Sequence, residues 1–161
     1  MPERPRTPAK DRALRLLGVR SRSREELRRR LARAGYQPEE IASALESLER
    51  AGLIDDERFA RDLASYEMVR KGVGRRAALA ALRSKGVSSD LADRVVDEVA
   101  PPDEEERAAD LARQRLGRMN GLPDDGAYRR LVGHLQRRGY DARTAHGAAR
   151  RALAEREEAP A

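Results

Sequence analysis

A short pattern that recurs three times is the feature of this sequence that most limits its fold. In each copy an apolar helical stretch is followed by a glycine and then by an apolar residue, and the three glycines are Gly35, Gly86 and Gly139. They are separated by 51 and then by 53 residues. Nearly constant spacing of this kind indicates an internal repeat. The chain is therefore expected to consist of three similar units.

Each unit carries apolar residues four positions apart on both sides of its glycine, which places them on one face of a helix. In the first unit Leu27 and Leu31 precede Gly35, and Ile41 and Leu45 follow it. A glycine just past the last turn closes a helix in the left-handed conformation. A further apolar set before each pair adds a third helix, and no alternating β-branched run predicts a strand. We predict an all-α fold of three tandem three-helix repeats that form an elongated, curved array.

The repeat boundaries are predicted at residues 10–52, 53–100 and 101–154. Residues 1–9, rich in Pro and Arg, and residues 155–161 are predicted to be a disordered arm and a disordered tail. Charged residues make up 39% of the chain and aromatic residues 3%. Much of the apolar content is Ala, the strongest helix former. This composition favours thin, alanine-lined seams between helices.

Helix starts are signalled by residues that cap a free backbone N–H. Ser23 and Glu26 have the spacing of a capping box, and Pro38 suits a first helical position. The other predicted N-caps are Asp55, Ser88, Asp103, Asp124 and Asp141.

The net charge of +6 and a pI of about 10.2 predict an anionic partner, with nucleic acid first. Of the 34 basic residues 31 are Arg, which pairs bidentately with phosphate and carboxylate, although genomic base composition explains the same bias. The basic residues are concentrated in the middle helix of each repeat, over Arg20–Arg33, Arg70–Lys85 and Arg129–Arg138. The third helices of the first two repeats are acidic and are expected elsewhere on the surface.

Several of these basic residues lie opposite the apolar seam of their helix. If the middle helices line up, they form one basic strip, which suits an extended polyanion better than a small ligand. The alternative is a solvated helix face whose arginines cover alanine seams. The predicted strip consists of Arg29, Arg33, Lys71, Arg76, Arg83, Arg129 and Arg137.

No catalytic, cofactor-binding or metal site is predicted. The chain has no Cys, which excludes disulfides and Cys-based zinc sites, and His134 and His146 lack the context of a metal site. The glycines of Lys71–Gly74 follow no strand, so this segment is interpreted as a turn between helices. No apolar run is long enough to span a membrane and no signal peptide is visible, so a cytoplasmic protein is expected.

The segment Gly52–Arg61, GLIDDERFAR, resembles the signature of the RecX family, the bacterial regulatory protein of the RecA recombinase. The turns at Lys71–Gly74 and Lys85–Val87 and the sequence Ser23–Leu27 are also similar to that family. The resemblance extends from about Ala13 to Leu153.

The resemblance implies a regulator that is not an enzyme. It would bind RecA and RecA–DNA filaments along the filament groove and suppress filament extension, ATP hydrolysis, strand exchange and coprotease activity, and so modulate DNA repair and the SOS response. We expect a monomer with weak, non-specific binding to single- and double-stranded DNA. Two alternatives stay open: an independent helix-turn-helix-like DNA-binding regulator, and a protein-interaction scaffold without nucleic-acid contact.

Overall fold

The computed structural model describes residues 7–159, and this part of the chain contains nine α-helices and no strand. The helices are α1 Ala9–Val19, α2 Arg24–Arg33, α3 Pro38–Arg50, α4 Asp56–Ser65, α5 Arg75–Ser84, α6 Ser89–Val99, α7 Glu104–Leu116, α8 Asp124–Arg137 and α9 Ala142–Glu158. The predicted all-α fold of three-helix repeats is thereby confirmed. None of the described helices combines the length and apolar character that a membrane span requires.

Helix α4 continues directly into a π-helical turn, Tyr66–Arg70. The Lys71 backbone N–H donates to the Tyr66 carbonyl at 3.0 Å, which closes this wider turn. A single π turn inserts one extra residue into a helix. It leads into the predicted turn, where Gly72 has a φ of 69° that an L side chain rarely adopts.

Most helices begin at the predicted caps. Ser23 Oγ accepts from the Glu26 N–H at 3.1 Å while the Glu26 carboxylate accepts from the Ser23 N–H at 3.1 Å, so the capping box is formed. The side chains of Asp55, Ser88 and Asp141 each accept from the N–H three residues further on. These bonds satisfy N–H groups that have no partner inside the helix.

Two predicted caps differ from the structure. The prediction for Asp124 is wrong, because Pro123 is the N-cap of α8 and Asp124 is already the first helical residue. Asp103 does precede α7, but its side chain makes no capping bond. Its φ of −105° and ψ of 32° lie outside the extended region that a capping residue normally adopts. Pro38 occupies the first position of α3, as predicted.

The three repeated glycines close α2, α5 and α8, as predicted. Gly35, Gly86 and Gly139 have φ values of 90°, 79° and 92°. The N–H of the residue after each glycine donates to the carbonyl five residues before it, at 3.1 to 3.2 Å. This is the bond of a Schellman motif.

The described chain forms two compact units. The first contains the described residues up to Leu63 together with Ala81–Val95, and the second contains Ala64–Ala80 together with the described residues from Val96 onward. The division passes through α4, α5 and α6, so each unit contains part of the middle three-helix repeat.

Leucines of α2 and α3 form the core of the first unit. Leu27, Leu31, Leu45 and Leu48 are at most 1% exposed, and Ala13 of α1 belongs to the same cluster. Burying a leucine side chain completely stabilises a fold by about 1.5–3 kcal/mol. The apolar faces predicted from the i, i+4 spacing are therefore the faces that pack.

Alanines form most of the core of the second unit. Ala108 and Ala112 of α7 and Ala145 and Ala149 of α9 are completely buried. Short side chains let two helices approach closely, because the distance between helix axes depends on the residues at the contact. The alanine-lined seams expected from composition are present here.

Part of the predicted N-terminal arm is ordered in the structure. Residues 1–6 lie outside the described residues, but α1 already begins at Ala9, which is buried in the first core. The Tyr36 hydroxyl donates to the Thr7 carbonyl at 2.6 Å. Apolar burial and this hydrogen bond order Ala9 and Thr7, which the prediction of disorder over residues 1–9 did not anticipate.

Part of the predicted C-terminal tail is helical in the structure. Helix α9 extends to Glu158, and only residues 160–161 lie outside the described residues. Glu155 accepts from Arg113 of α7 at 2.6 Å and from Arg151 at 3.0 Å. These ion pairs hold the last turns of α9 against α7, so disorder from residue 155 was a wrong prediction.

Candidate interaction surface

In the first unit, the start of the basic helix α2 lies against the end of the basic helix α5. The Ser23 hydroxyl donates to the Lys85 carbonyl, and the Arg29 guanidinium donates to the Ser84 carbonyl at 3.3 Å. A Cβ on Gly86 would lie 2.4 Å from a side chain of α2, so glycine permits this approach. The last carbonyls of a helix have no partner inside it, and these contacts satisfy two of them.

In the second unit, the end of α8 lies against the start of α5. The Gly74 N–H donates to the Arg138 carbonyl at 2.9 Å, and the Arg76 N–H donates to the Gly139 carbonyl at 3.0 Å. The free N–H groups at the start of one helix thus pair with the free carbonyls at the end of another, and their partial charges attract. A Cβ on Gly74 would lie 2.5 Å from the Gly139 carbonyl oxygen, so only glycine fits.

Three of the seven predicted strip residues are paired with carboxylates. All three are exposed, and each partner lies four residues away in the sequence or on the next helix. Such exposed pairs contribute little stability, about 0–1 kcal/mol, but they neutralise the cation locally. The pairs are Arg29–Glu25 at 3.0 Å, Lys71–Glu67 at 2.9 Å and Arg83–Asp93 at 3.6 Å.

The other four strip residues are Arg33, Arg76, Arg129 and Arg137, and all are exposed. None of them pairs with a carboxylate anywhere in residues 7–159, although Arg129 Nε lies 3.4 Å from the Asp125 carbonyl oxygen. Arg33 belongs to the first unit and the other three to the second. Because their charge is uncompensated, these four are the strip residues best suited to hold an anionic partner.

The first turn of α2 is locally neutralised by Glu25. Its carboxylate accepts from Arg28 at 2.7 Å and from Arg29 at 3.0 Å. These bonds, the one from Arg28 first, outweigh the opposing effect of partial burial and lower the pKa of Glu25 to about 2. The arginines at this end of α2 therefore have a permanent counter-charge at neutral pH.

The sequence predicts that the acidic third helices lie apart from the basic ones. In the structure, acidic residues of α6 instead pair with arginines of α5. In the first unit Arg83 of α5 is 3.6 Å from Asp93 of α6. In the second unit Arg75 of α5 pairs with Asp97 of α6. Part of the acidic charge of α6 is thus used within the repeat, and it reduces the number of free cations on α5.

Both histidines are half-buried, and no group of acidic residues and histidines in the described chain could hold a metal ion. His146 Nδ1 lies 2.6 Å from the Tyr128 hydroxyl. Burial lowers the pKa of His134 most, and the positive charges of Arg115, Arg137 and Arg138 lower it further. The ring is therefore neutral at pH 7.

Sequence reasoning missed three arginines of the first unit. Arg12 of α1 and Arg30 of α2 line a cleft together with Arg33. Arg22, which lies in the sequence between α1 and α2, is buried. The i, i+3 spacing of Arg30 and Arg33 was a visible signal that both lie on one side of α2. Nothing in the sequence indicated that Arg12 would face them, because that depends on how α1 packs.

The fold and its charges define a class: an all-α protein of tandem three-helix domains whose middle helices carry free cations. Family models for the first, second and third three-helix domains of RecX match residues 9–48, 55–96 and 103–146. The chain belongs to the RecX family.

Curated relatives agree with this assignment. A protein of Amycolatopsis mediterranei named regulatory protein RecX is 40% identical over 139 residues, which cover 86% of this chain and 79% of the relative. A protein of the same name from Mycolicibacterium smegmatis is 40% identical over 137 residues, 83% of this chain and 73% of the relative. The crystal structure of RecX from Lactobacillus salivarius superposes with a TM-score of 0.80 at 17% identity, over 91% of this chain and 95% of that one, and shows the same fold.

Proposed function

We propose that this chain is a negative regulator of the RecA recombinase. It binds RecA and RecA–DNA filaments along the filament groove and blocks filament extension, ATP hydrolysis, strand exchange and coprotease activity. In this way it modulates DNA repair and the SOS response. It acts in the cytoplasm by binding as a monomer, with no catalytic step of its own and no membrane contact. Membership of a family whose relatives are named regulatory proteins supports this proposal.

The observation that carries the proposal is the set of exposed arginines without ion pairs on the middle helices: Arg33, Arg76, Arg129 and Arg137. A RecA–DNA filament presents DNA phosphates, and an arginine without a local carboxylate binds a phosphate and releases the cation condensed on the DNA without first breaking an ion pair. Contacts of this type position a protein on nucleic acid without reading its sequence. Weak, non-specific binding to single- and double-stranded DNA is the expected result.

The charge of the third helices disfavours an independent helix-turn-helix regulator. In that motif the start of the recognition helix contacts base edges in the major groove. Here α3 begins with Pro38 followed by Glu39 and Glu40, both exposed, and α6 begins with Ser89 and the exposed Asp90. Carboxylates at these positions would face DNA phosphates and be repelled by them.

The test is the ATPase activity of RecA on single-stranded DNA with substoichiometric amounts of this chain. A regulator that stops filament growth inhibits many RecA molecules at once, so inhibition is expected well below equimolar concentration. Undiminished ATP hydrolysis under these conditions would contradict the proposal. A footprint at one defined double-stranded site would instead support the helix-turn-helix alternative.

A pair of variants examines the role of the free arginines in inhibition. Arg76→Gln combined with Arg129→Gln removes two unpaired charges and should weaken inhibition and flatten its salt dependence. The matched control is Arg94→Gln with Arg151→Gln, which removes two exposed arginines that already pair with carboxylates. Equal inhibition by the two double variants would exclude the free arginines from the mechanism.

A further inference from the structure

Between α1 and α2 in the first unit is a cleft of about 350 Å³ that is lined by Arg12, Leu16, Arg30, Arg33 and Ala34. All of its charged residues are arginines, and none of the three pairs with a carboxylate of the described chain. Elsewhere on α2 the exposed arginines do have acidic partners. The cleft is therefore a local concentration of positive charge.

Arg22 lies next to this cleft and is only 6% exposed. Its Nε donates to the carbonyl of Leu16, a cleft residue, at 3.2 Å. Its Nη1 is the one buried side-chain nitrogen or oxygen within residues 7–159 that has no hydrogen-bond partner. Burial, followed by the charges of Arg20 and Arg30, lowers the pKa of Arg22. A buried guanidinium with a free N–H destabilises the fold unless an anion approaches it.

Helix stability accounts for only part of this arrangement. Cations in the last turn of a helix interact favourably with its dipole, which explains Arg30 and Arg33 at the end of α2. It does not explain why Arg12 of another helix faces them, or why Arg22 is buried beside them. Four like charges that converge repel one another, and an anionic ligand would remove that repulsion.

We propose that Arg12, Arg22, Arg30 and Arg33, together called the arginine cleft, bind a phosphodiester group of a nucleic-acid backbone. A phosphate accepts several hydrogen bonds at once, and the planar fork of Arg matches its oxygens. A carboxylate also accepts from two guanidiniums, as Glu25 does from Arg28 and Arg29, but a nucleic-acid backbone presents a closely spaced series of phosphates, so the phosphates next to the bound one reach the remaining arginines. This inference adds a DNA contact in the first domain to the proposed function. It rests on the proposed function only for the biological source of that DNA.

The experiment measures binding of a fluorescent single-stranded oligonucleotide over a range of salt concentrations, with no RecA present. Arg12→Gln with Arg30→Gln is compared with Arg28→Gln and Arg94→Gln, two exposed arginines of the same unit that pair with Glu25 and Glu57. Each phosphate contact contributes about 0.7 to the slope of log K against log salt. The cleft variant should lose at least that much slope, and the control should keep the slope of the parent. Equal slopes for the two double variants would overturn the proposal.

Arg22→Met separates binding from folding. Replacing a buried, unpaired charge by an apolar side chain of similar length should raise the urea midpoint, while affinity for the oligonucleotide should fall. Unchanged affinity would remove Arg22 from the site. If the Arg12 and Arg30 variant kept its DNA slope but lost binding to polyglutamate, the ligand would be an acidic protein segment and the phosphate proposal would fail. RecA inhibition measured in parallel distinguishes failure of the arginine-cleft proposal from failure of the proposed regulatory function.

Discussion

Gly35 and Gly139 have almost the same backbone angle and very different surroundings. Their φ values are 90° and 92°, and each closes the middle helix of a repeat. A Cβ on Gly35 would meet no atom within 4 Å, whereas a Cβ on Gly139 would lie 2.3 Å from the Ala77 Cβ. The first glycine is required by conformation alone, and the second also by the packing of α8 against α5.

Alanine at each position measures the two requirements separately. Gly35→Ala should cost about 1–2 kcal/mol, the strain of a left-handed L residue. Gly139→Ala should cost that strain plus about 1–3 kcal/mol of overpacking. Urea unfolding followed by helical circular dichroism gives both values. Equal loss of stability in the two variants would show that the close approach at Gly139 is not maintained.

The ion pairs of Glu25 should persist to lower pH than those of an ordinary carboxylate. The pKa of Glu25 is lowered from 4.5 to about 2, chiefly by Arg28, so these pairs stabilise the fold above pH 4.5 and this contribution disappears as the pH falls toward 2. Glu25→Gln should therefore lower the thermal midpoint above pH 4.5, and this effect should disappear as the pH falls through about 2. In the control Glu39→Gln, an exposed acid without an ion pair in the described chain, the difference from the parent should be small throughout. A Glu25→Gln effect that is independent of pH would contradict this prediction.

The helices, their capping residues and their glycine ends follow local rules. These features were therefore predicted well from the sequence. The Gly35 turn and the Ser23 cap depend on a few neighbouring residues, so spacing alone located them. The π turn after α4 was not predicted from the sequence, because one extra residue leaves the apolar spacing almost unchanged. The pairing of Arg83 with Asp93 and the burial of Arg22 depend on how helices pack, which periodicity does not determine.

At the level of elements, the Tyr140 hydroxyl contacts the segment that follows the π turn. Tyr140 is 1% exposed, and its hydroxyl donates to the Gly72 carbonyl at 2.9 Å. Tyr140→Phe should cost about 1 kcal/mol and leave a carbonyl unsatisfied. Faster hydrogen exchange is expected over residues 66–74. The control is Tyr36→Phe, whose hydroxyl bonds to the Thr7 carbonyl, and it should leave exchange in that segment unchanged. Equal hydrogen exchange over residues 66–74 in the two variants would contradict this prediction.

For the whole molecule, the net charge of +6 overstates how uniformly the middle helices attract anions. Carboxylates on the same or adjacent helices already engage Arg29, Lys71 and Arg83. What remains is a set of free cations that each of the two units supplies in part. An extended partner would gain most of its electrostatic free energy from this set, because paired cations must first give up a carboxylate.

Two triple variants with the same change in net charge should therefore respond to salt differently. The first, Arg33→Gln with Arg76→Gln and Arg129→Gln, removes free cations. The second, Arg29→Gln with Lys71→Gln and Arg83→Gln, removes paired ones. With about 0.7 of slope per phosphate contact on single-stranded DNA, the first should lose about 2 from the slope of log K against log salt, and the second should lose less than about 1. A pure scaffold without nucleic-acid contact predicts no salt-dependent DNA binding in the parent. Equal loss of slope in the two variants would mean that net charge, and not the distribution of ion pairs, governs the contact with nucleic acid.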